Sequence, residues 1–459
     1  MASQNSVSGS QIQDAINYLK QFYSESTELM NVMLKSGPFF GLVTKEMISG
    51  GAGNSGGTNS YPNTGQGGYP VPILGSGGAS PSQNITSAIS NTAAARTYQM
   101  QVPIVTTYNT LNIGRQLVMA TRNDQGAFQD AVKVESDAAL ISTANQMAQN
   151  MYRNTSGVVG TINSLGVTAA GAIQLSQVTD AVNFQPDMAL NAFTVSGGVY
   201  TPVQNNPPGS PQAYVISVDR GLGVIYVSTS QGGSGGVPGS WTAGCVLIGD
   251  GNSTAQYSDS ATNGYGMAEG FLTWIPDLPG LRPAPNLPST INFLNNQDRS
   301  KDVVALAGVV LPQPSETIED TLIDLCSEVY RVGGGTVDHI FMNPVNHRAL
   351  EKELTSRRIY MQPSMATNDQ GIGFPAIEIS TASGPVKIVQ DRWAPVNRAF
   401  AVELDTWKII AYDELGFLSY LDGLDFLRTG ADSAQARVGI DWNMICKAPG
   451  HNGVAVLNS

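Results

Sequence analysis

The 459-residue chain carries 50 Gly and 25 Pro, and only 13% of its residues are charged, about half the usual share. Its 36 acidic and 24 basic residues leave a net charge of -12 with no Lys/Arg block, which disfavours tight nucleic-acid binding because counterion release from a basic stripe supplies most of that affinity. The longest purely apolar run, Val303–Leu311, has nine residues, far short of the ~20 that cross a bilayer as a helix.

Cys245, Cys326 and Cys446 stand too far apart, and in too odd a number, for a disulfide framework or a zinc knuckle. The first residues lack the basic-then-apolar pattern of a secretory signal. Folding in a cytosol is the expectation, with a length that admits two or three domains.

Taken in chain order, residues 10–36 place Ile12, Ile16, Leu19, Phe22, Leu29 and Val32 at helical spacing, stopped by Gly37-Pro38. This helix packs on its own domain or lies as an arm on a neighbouring subunit. No charged residue occurs between Glu46 and Arg96, where Gly, Ser, Asn and Thr dominate; the stretch reads as a long loop. Alternation through Tyr98, Met100, Val102 and Ile104, then Leu111 and Ile113, predicts strands. Asp124 to Asn154 is the longest predicted helix, with Ala131, Val134, Ala138, Ile141, Ala148 and Met151 on one stripe.

Residues 158–270 contain no Lys, and Arg220 is their only basic residue. Val, Thr, Ser and Gly dominate there, and 214–218 and 224–228 flank a Gly-containing turn, so a small all-β insertion with a hairpin is predicted. Beyond 271 helices and strands mix. Helices are predicted over 318–332, closing on Gly333-Gly334-Gly335, and over 345–354; strands over 337–342, 385–390, 399–404 and 407–412.

Chemistry is sparse. Two G-x-S-x-G matches, at Ser55 and Ser234, sit in Gly-rich loops without the strand and helix that a nucleophile elbow needs. His339, His347 and His451, with Cys326, have no third ligand or orienting group at helical or hairpin spacing. No phosphate-cradling loop is present. Catalytic, cofactor and metal sites are therefore all expected to be absent, and the carboxylates at 316–324 are expected to favour a helix start.

Several C-terminal segments carry a resemblance: Phe341-Met-Asn-Pro344, Gly384 to Asp391, Ala401 to Trp407, and Ala436-Arg437 ahead of Cys446 to Gly450. They resemble the tailed-phage major capsid proteins of the HK97-like fold. The resemblance implies an α+β chain with five segments: an N-terminal arm (1–44), an E-loop with flanking strands (45–122), a spine helix (123–157), an inserted β domain (158–270), and an axial domain with returning peripheral strands (271–459). It marks Asn343, Pro344, Gly384, Asp391, Asp405, Trp407 and Arg437 as structural motif residues.

It also implies a shell of pentamers and hexamers around double-stranded DNA that is packaged without sequence-specific binding, assembled in the host bacterial cytoplasm as part of the virion. Portal protein is an expected partner, as is a separate scaffolding protein, because only some 40 residues precede the loop; a decoration protein is a further possible partner. An uncharged loop suits burial between subunits, where each desolvated charge costs several kcal/mol; a merely disordered loop is the alternative. Tyr69, Val71, Ile73, Leu74, Arg96, Arg115 and Arg122 are the expected interface residues. An encapsulin-like compartment shell, a phage tail protein and a serine hydrolase at Ser55 or Ser234 remain the alternatives.

Overall fold

The computed structural model describes residues 37–47, 69–74, 82–91, 97–114, 138, 141–167, 171–196, 199–204, 211–233, 235–250, 267–277, 282–284, 293–295, 297–312, 317–356, 364–367, 373–381, 384–411, 427–428 and 433–457. The predicted helix at 10–36, Arg96, Arg115, Arg122, Ser55 and Ser234 lie outside the described residues. Two compact units are built from interleaved stretches of chain. One comprises Met1–Asn63, Ile104–Ala148 and Ile409–Asn443; the other comprises Thr64–Pro103, Gln149–Lys408 and Met444–Ser459.

Helix α1 (Pro38–Leu42) begins where Gly37-Pro38 was expected to stop one, because proline's missing N–H costs nothing at the first helical position. Strand β1 (Thr44–Met47) follows. Within the uncharged run, β2 (Tyr69–Leu74) and the short helix α2 (Ile85–Ser90) are formed, so that run is not wholly loop. The Asn84 side chain caps α2 by accepting the Thr86 N–H at 2.9 Å. Strand β3 (Thr97–Val102) pairs antiparallel with β2, matching Tyr69 to Val102, Val71 to Met100 and Ile73 to Tyr98. Pro70 and Pro72 remove alternate N–H groups from β2, which only an edge strand tolerates, and so blunt that edge to further pairing.

Strand β4 is Val105–Gly114. Residues 141–151 form helix α3, whose buried stripe is Ala144, Met147, Ala148 and Met151. Ala138 and Ile141, expected on that stripe, are exposed, Ile141 by 46%. Periodicity tells which residues share a helix face; it does not tell how far along the helix the covering surface reaches.

Strands β5 (Val158–Val167), β6 (Ala172–Leu175), β7 (Ala189–Ser196), β8 (Val199–Pro202), β9 (Ala213–Asp219), β10 (Val224–Ser228) and β11 (Val246–Gly249) make one antiparallel sheet in the order β11-β5-β6-β10-β9-β7-β8. Because β11 also pairs with β7, six of these strands close on themselves as a barrel with β8 appended. Closure pairs both edges of these six strands and leaves only β8 at the margin of the sheet. Ile162, Ile173, Leu190, Val215, Ile225 and Trp241 fill the interior. Polar pinning falls to amides: Gln212 accepts the Trp241 indole N–H at 2.6 Å and the Ala192 N–H at 3.3 Å.

Next come α4 (Phe271–Trp274), the strand pair β12 (Phe293–Leu294) and β13 (Gln297–Asp298), α5 (Val303–Ala307), β14 (Val309–Leu311) and α6 (Ile318–Glu328). They are followed by β15 (His339–Met342), α7 (Pro344–Ser356), β16 (Ser364–Thr367), β17 (Gly373–Thr381), β18 (Gly384–Gln390) and β19 (Arg398–Val402). The last strands are β20 (Trp407–Ala411), β21 (Leu427–Arg428), β22 (Ser433–Cys446) and β23 (Gly453–Val456).

A seven-stranded mixed sheet runs β14-β23-β19-β15-β18-β17-β16, with α6 and α7 supplying Leu322, Leu325, Leu350 and Leu354 to its core. A second sheet runs β1-β20-β22-β21, and β4 lies along β22 from Val105 opposite Trp442 to Gly114 opposite Ser433. Helices and sheets mixed in this way are the expected α+β class. The helix predicted through 332 leaves α geometry after Glu328 for a wider turn over Val329–Gly333, and Gly334 exits at φ +73. Glycines are required there, because a Cβ on Gly333 would strike the Gly450 carbonyl and one on Gly335 the His451 backbone.

Candidate functional site

Three of the motif residues, Asn343, Pro344 and Asp391, meet at the end of the strand pair β15–β18. Asn343 caps α7: its Oδ1 accepts the Val345 N–H at 3.1 Å, Pro344 takes the first helical position, and its Nδ2 donates to the Ala394 carbonyl at 2.7 Å. Asp391 lies beside it, its N–H donating to the Met342 carbonyl at 2.8 Å. The buried Asp391 carboxylate accepts the Trp393 N–H at 3.0 Å on Oδ1 and the Tyr152 hydroxyl at 2.8 Å on Oδ2. Burial first, and then the Asp391 charge, push the Tyr152 phenol well above its ordinary range, so it stays a donor.

Tyr152 follows α3 directly and enters an aromatic cluster. Its ring centroid is 5.4 Å from both Phe271 and Phe400, and Phe271 meets Trp407 edge-on at 4.4 Å. The Trp407 indole N–H donates to Asn452 Oδ1 at 2.9 Å. The buried Asn452 Oδ1 also accepts the Glu403 N–H at 2.9 Å, and its Nδ2 donates to the Ala448 carbonyl at 2.8 Å and Thr406 Oγ1 at 3.0 Å. Asp405 is exposed on the 3-10 turn before Trp407, and Gly384 opens β18 at φ +128, where a side chain would be strained. Arg437 stands in β22 opposite Thr110.

A second polar network went unforeseen. The half-buried Arg153 guanidinium lies 3.8 Å from Asp180 and donates to the Val158 carbonyl, and Arg398 pairs with the buried Asp277. Desolvation raises the Asp180 carboxyl and lowers Arg153, each opposed by the charge of the other. One signal was available: Asp180 sits in a segment whose only cation is Arg220.

The interface residues expected on the hairpin point elsewhere. Tyr69, Val71 and Ile73 are buried by their own chain, Val71 completely. Pro70 is half-buried and Pro72 exposed, so the intervening positions hold the outward face. Leu74 pairs with Thr97 through the backbone. At the other end of this connection, Ile85 and Ile89 of α2 are exposed by 74% and 68%.

These arrangements hold elements in place. Burial pushes the Cys326 and Cys446 thiols up to about 12, far from a nucleophile's range. His347 is lowered by burial beside Glu351, and His451 Nδ1 lies 2.9 Å from Glu403. Among the described residues no group of three His, Cys, Asp or Glu side chains is placed to hold a metal ion, and no helix is long and apolar enough to cross a membrane.

Residues 252–433 match the family model of the SU10 major capsid protein. The match spans Asn343, Pro344, Gly384, Asp391, Asp405 and Trp407, and it bears out the resemblance to tailed-phage major capsid proteins that these segments carried. No curated protein sequence matches. Similar solved structures include the cyanophage A-1(L) capsid asymmetric unit, 9% identical, covering 92% of this chain and 92% of that chain at a TM-score of 0.47. Gordonia phage Cozz is 9% identical over 92% and 87% of the two chains at 0.38, and Mycobacterium phage Bobi 8% identical over 92% and 91% at 0.38.

Proposed function

We propose that this chain is the major capsid protein of a tailed phage, with an HK97-like fold, many copies of which close as pentamers and hexamers into an icosahedral shell around double-stranded DNA. The observation that carries the reading is the family match over residues 252–433, which takes in six of the motif residues. The site chemistry is in keeping with it: the buried hydrogen bonds of Asn343, Asp391 and Asn452 fix the relative positions of β15, β18, β20 and α7, as repeated subunit contacts require of a rigid body. Each contact need contribute only a few kcal/mol, because multivalency turns modest affinities into a shell that hardly dissociates.

A net charge of -12 suits a wall that does not retain packaged DNA. Portal protein, a separate scaffolding protein and a decoration protein are the proposed partners, and the virion assembled in the host cytoplasm the proposed location. No catalytic role is assigned. Electron microscopy of the purified chain, expressed with and without a scaffolding protein, tests the reading. Closed shells or capsomers are expected, and stable monomers at high concentration under every condition would overturn it.

A further inference from the structure

Asn295, in the turn between β12 and β13, adopts φ +48, the left-handed region that non-glycine residues enter sparingly. Its carbonyl accepts the Gln101 N–H of β3 at 3.2 Å. Its side-chain Nδ2 donates to Oε2 of Glu269 at 2.9 Å, and Glu269 is only 3% exposed. One residue thus couples a buried carboxyl to the backbone at the foot of the β2–β3 hairpin.

We propose that Glu269 is a proton-operated latch on this hairpin: neutral, it keeps Asn295 and through it Gln101 docked, and ionised, it favours the opening that would hydrate it. Burying a carboxylate disfavours the charged form, and here desolvation raises Glu269 to about 7 against the opposing influence of the Asn295 bond and the Arg299 charge. Among the described residues, Arg299 is the charged group that acts on it. From the turn after β13, Arg299 donates to the Thr273 and Trp274 carbonyls at 3.0 and 3.4 Å, and Arg282 acts on Arg299 in turn. Asp298 is engaged with Ser300 and Lys301. Strand β3 brings only the phenol of Tyr98, and α4 brings no ionisable side chain.

The sign follows from linkage. An opened Glu269 returns to its ordinary 4.5 while the docked one stays near 7, so docking binds the proton and the latch weakens as pH rises through 7. Between pH 6 and 8 the opening constant should rise about tenfold.

Hydrogen exchange of the full-length chain, held unassembled and corrected for intrinsic rates, reads this at the Gln101 amide, so the outcome does not depend on shell formation. The natural chain should open about tenfold more at pH 8 than at pH 6, with amides of β18 unchanged in ratio. Glu269→Gln should be flat with pH at or below the pH 6 level. Glu269→Met, neutral at every pH and of similar length, should also be flat and decides the matter if Glu269→Gln fails to fold. A flat natural profile, or a slope surviving in either variant, would overturn the latch.

Discussion

Replacing Tyr152 by Phe isolates a single interaction in the pinned core. The ring contacts with Phe271 and Phe400 remain, and what is lost is the 2.8 Å donation to Asp391 Oδ2. Both partners are 1% exposed, so no bulk water replaces the missing hydroxyl. A hydrogen bond to a charged acceptor contributes about 1.5–3 kcal/mol, and leaving a buried acceptor short of a donor falls in the same range, so a loss of about 2 kcal/mol is expected. With a urea dependence of about 2–3 kcal/mol per molar, the midpoint should fall by roughly 0.7–1 M. Trp274 and Trp407 are buried in the same unit, so indole emission reports its unfolding. Adding Asp391→Asn completes a double-mutant cycle, in which a coupling above about 0.5 kcal/mol is expected for groups in contact. A midpoint shift under about 0.2 M, or additive single effects, would refute the assigned bond.

Three further outcomes follow from the packing. Gly333→Ala drives a methyl into the Gly450 carbonyl, which neither backbone can easily yield to, and should lower stability by about 3 kcal/mol in the same urea assay; an effect under about 1 kcal/mol would mean the two segments are not pressed together. Glu353→Ala removes an α7 carboxylate that accepts the Ile318 and Glu319 N–H groups at 3.0 and 3.4 Å, and should cost about 1 kcal/mol, with Glu353→Gln milder. Val71→Lys buries a charge inside the hairpin and should yield insoluble or protease-sensitive protein. Pro72→Lys, on the exposed face, should leave the subunit folded and test the proposed subunit contact by its yield of assembled particles.

What could be foreseen from the sequence was what depends on neighbours along the chain. The β9–β10 hairpin is carried by two alternating runs and the Asp219–Gly223 turn, and the α7 start by Asn343-Pro344, a cap and first-position pair that acts within one helical turn. The rest depends on residues that no local pattern joins. Tyr152 meets Asp391 across 239 positions, the barrel closes only because β11 finds both β5 and β7, and Arg153 answers an Asp180 that has no cation nearby in sequence.

The missing charges between Glu46 and Arg96 have two physical causes that composition alone merges. One face of β2 lacks charge because Tyr69, Val71 and Ile73 are covered by their own chain, where an ion would be desolvated on folding. On α2 no such cover exists: Ile85 and Ile89 are exposed one turn apart on a helix with no buried residue. Of the described part of this run, only α2 and the outer face of β2 therefore remain as surface for another subunit, and charges placed there should affect assembly alone, whereas charges placed at the buried positions act first on folding.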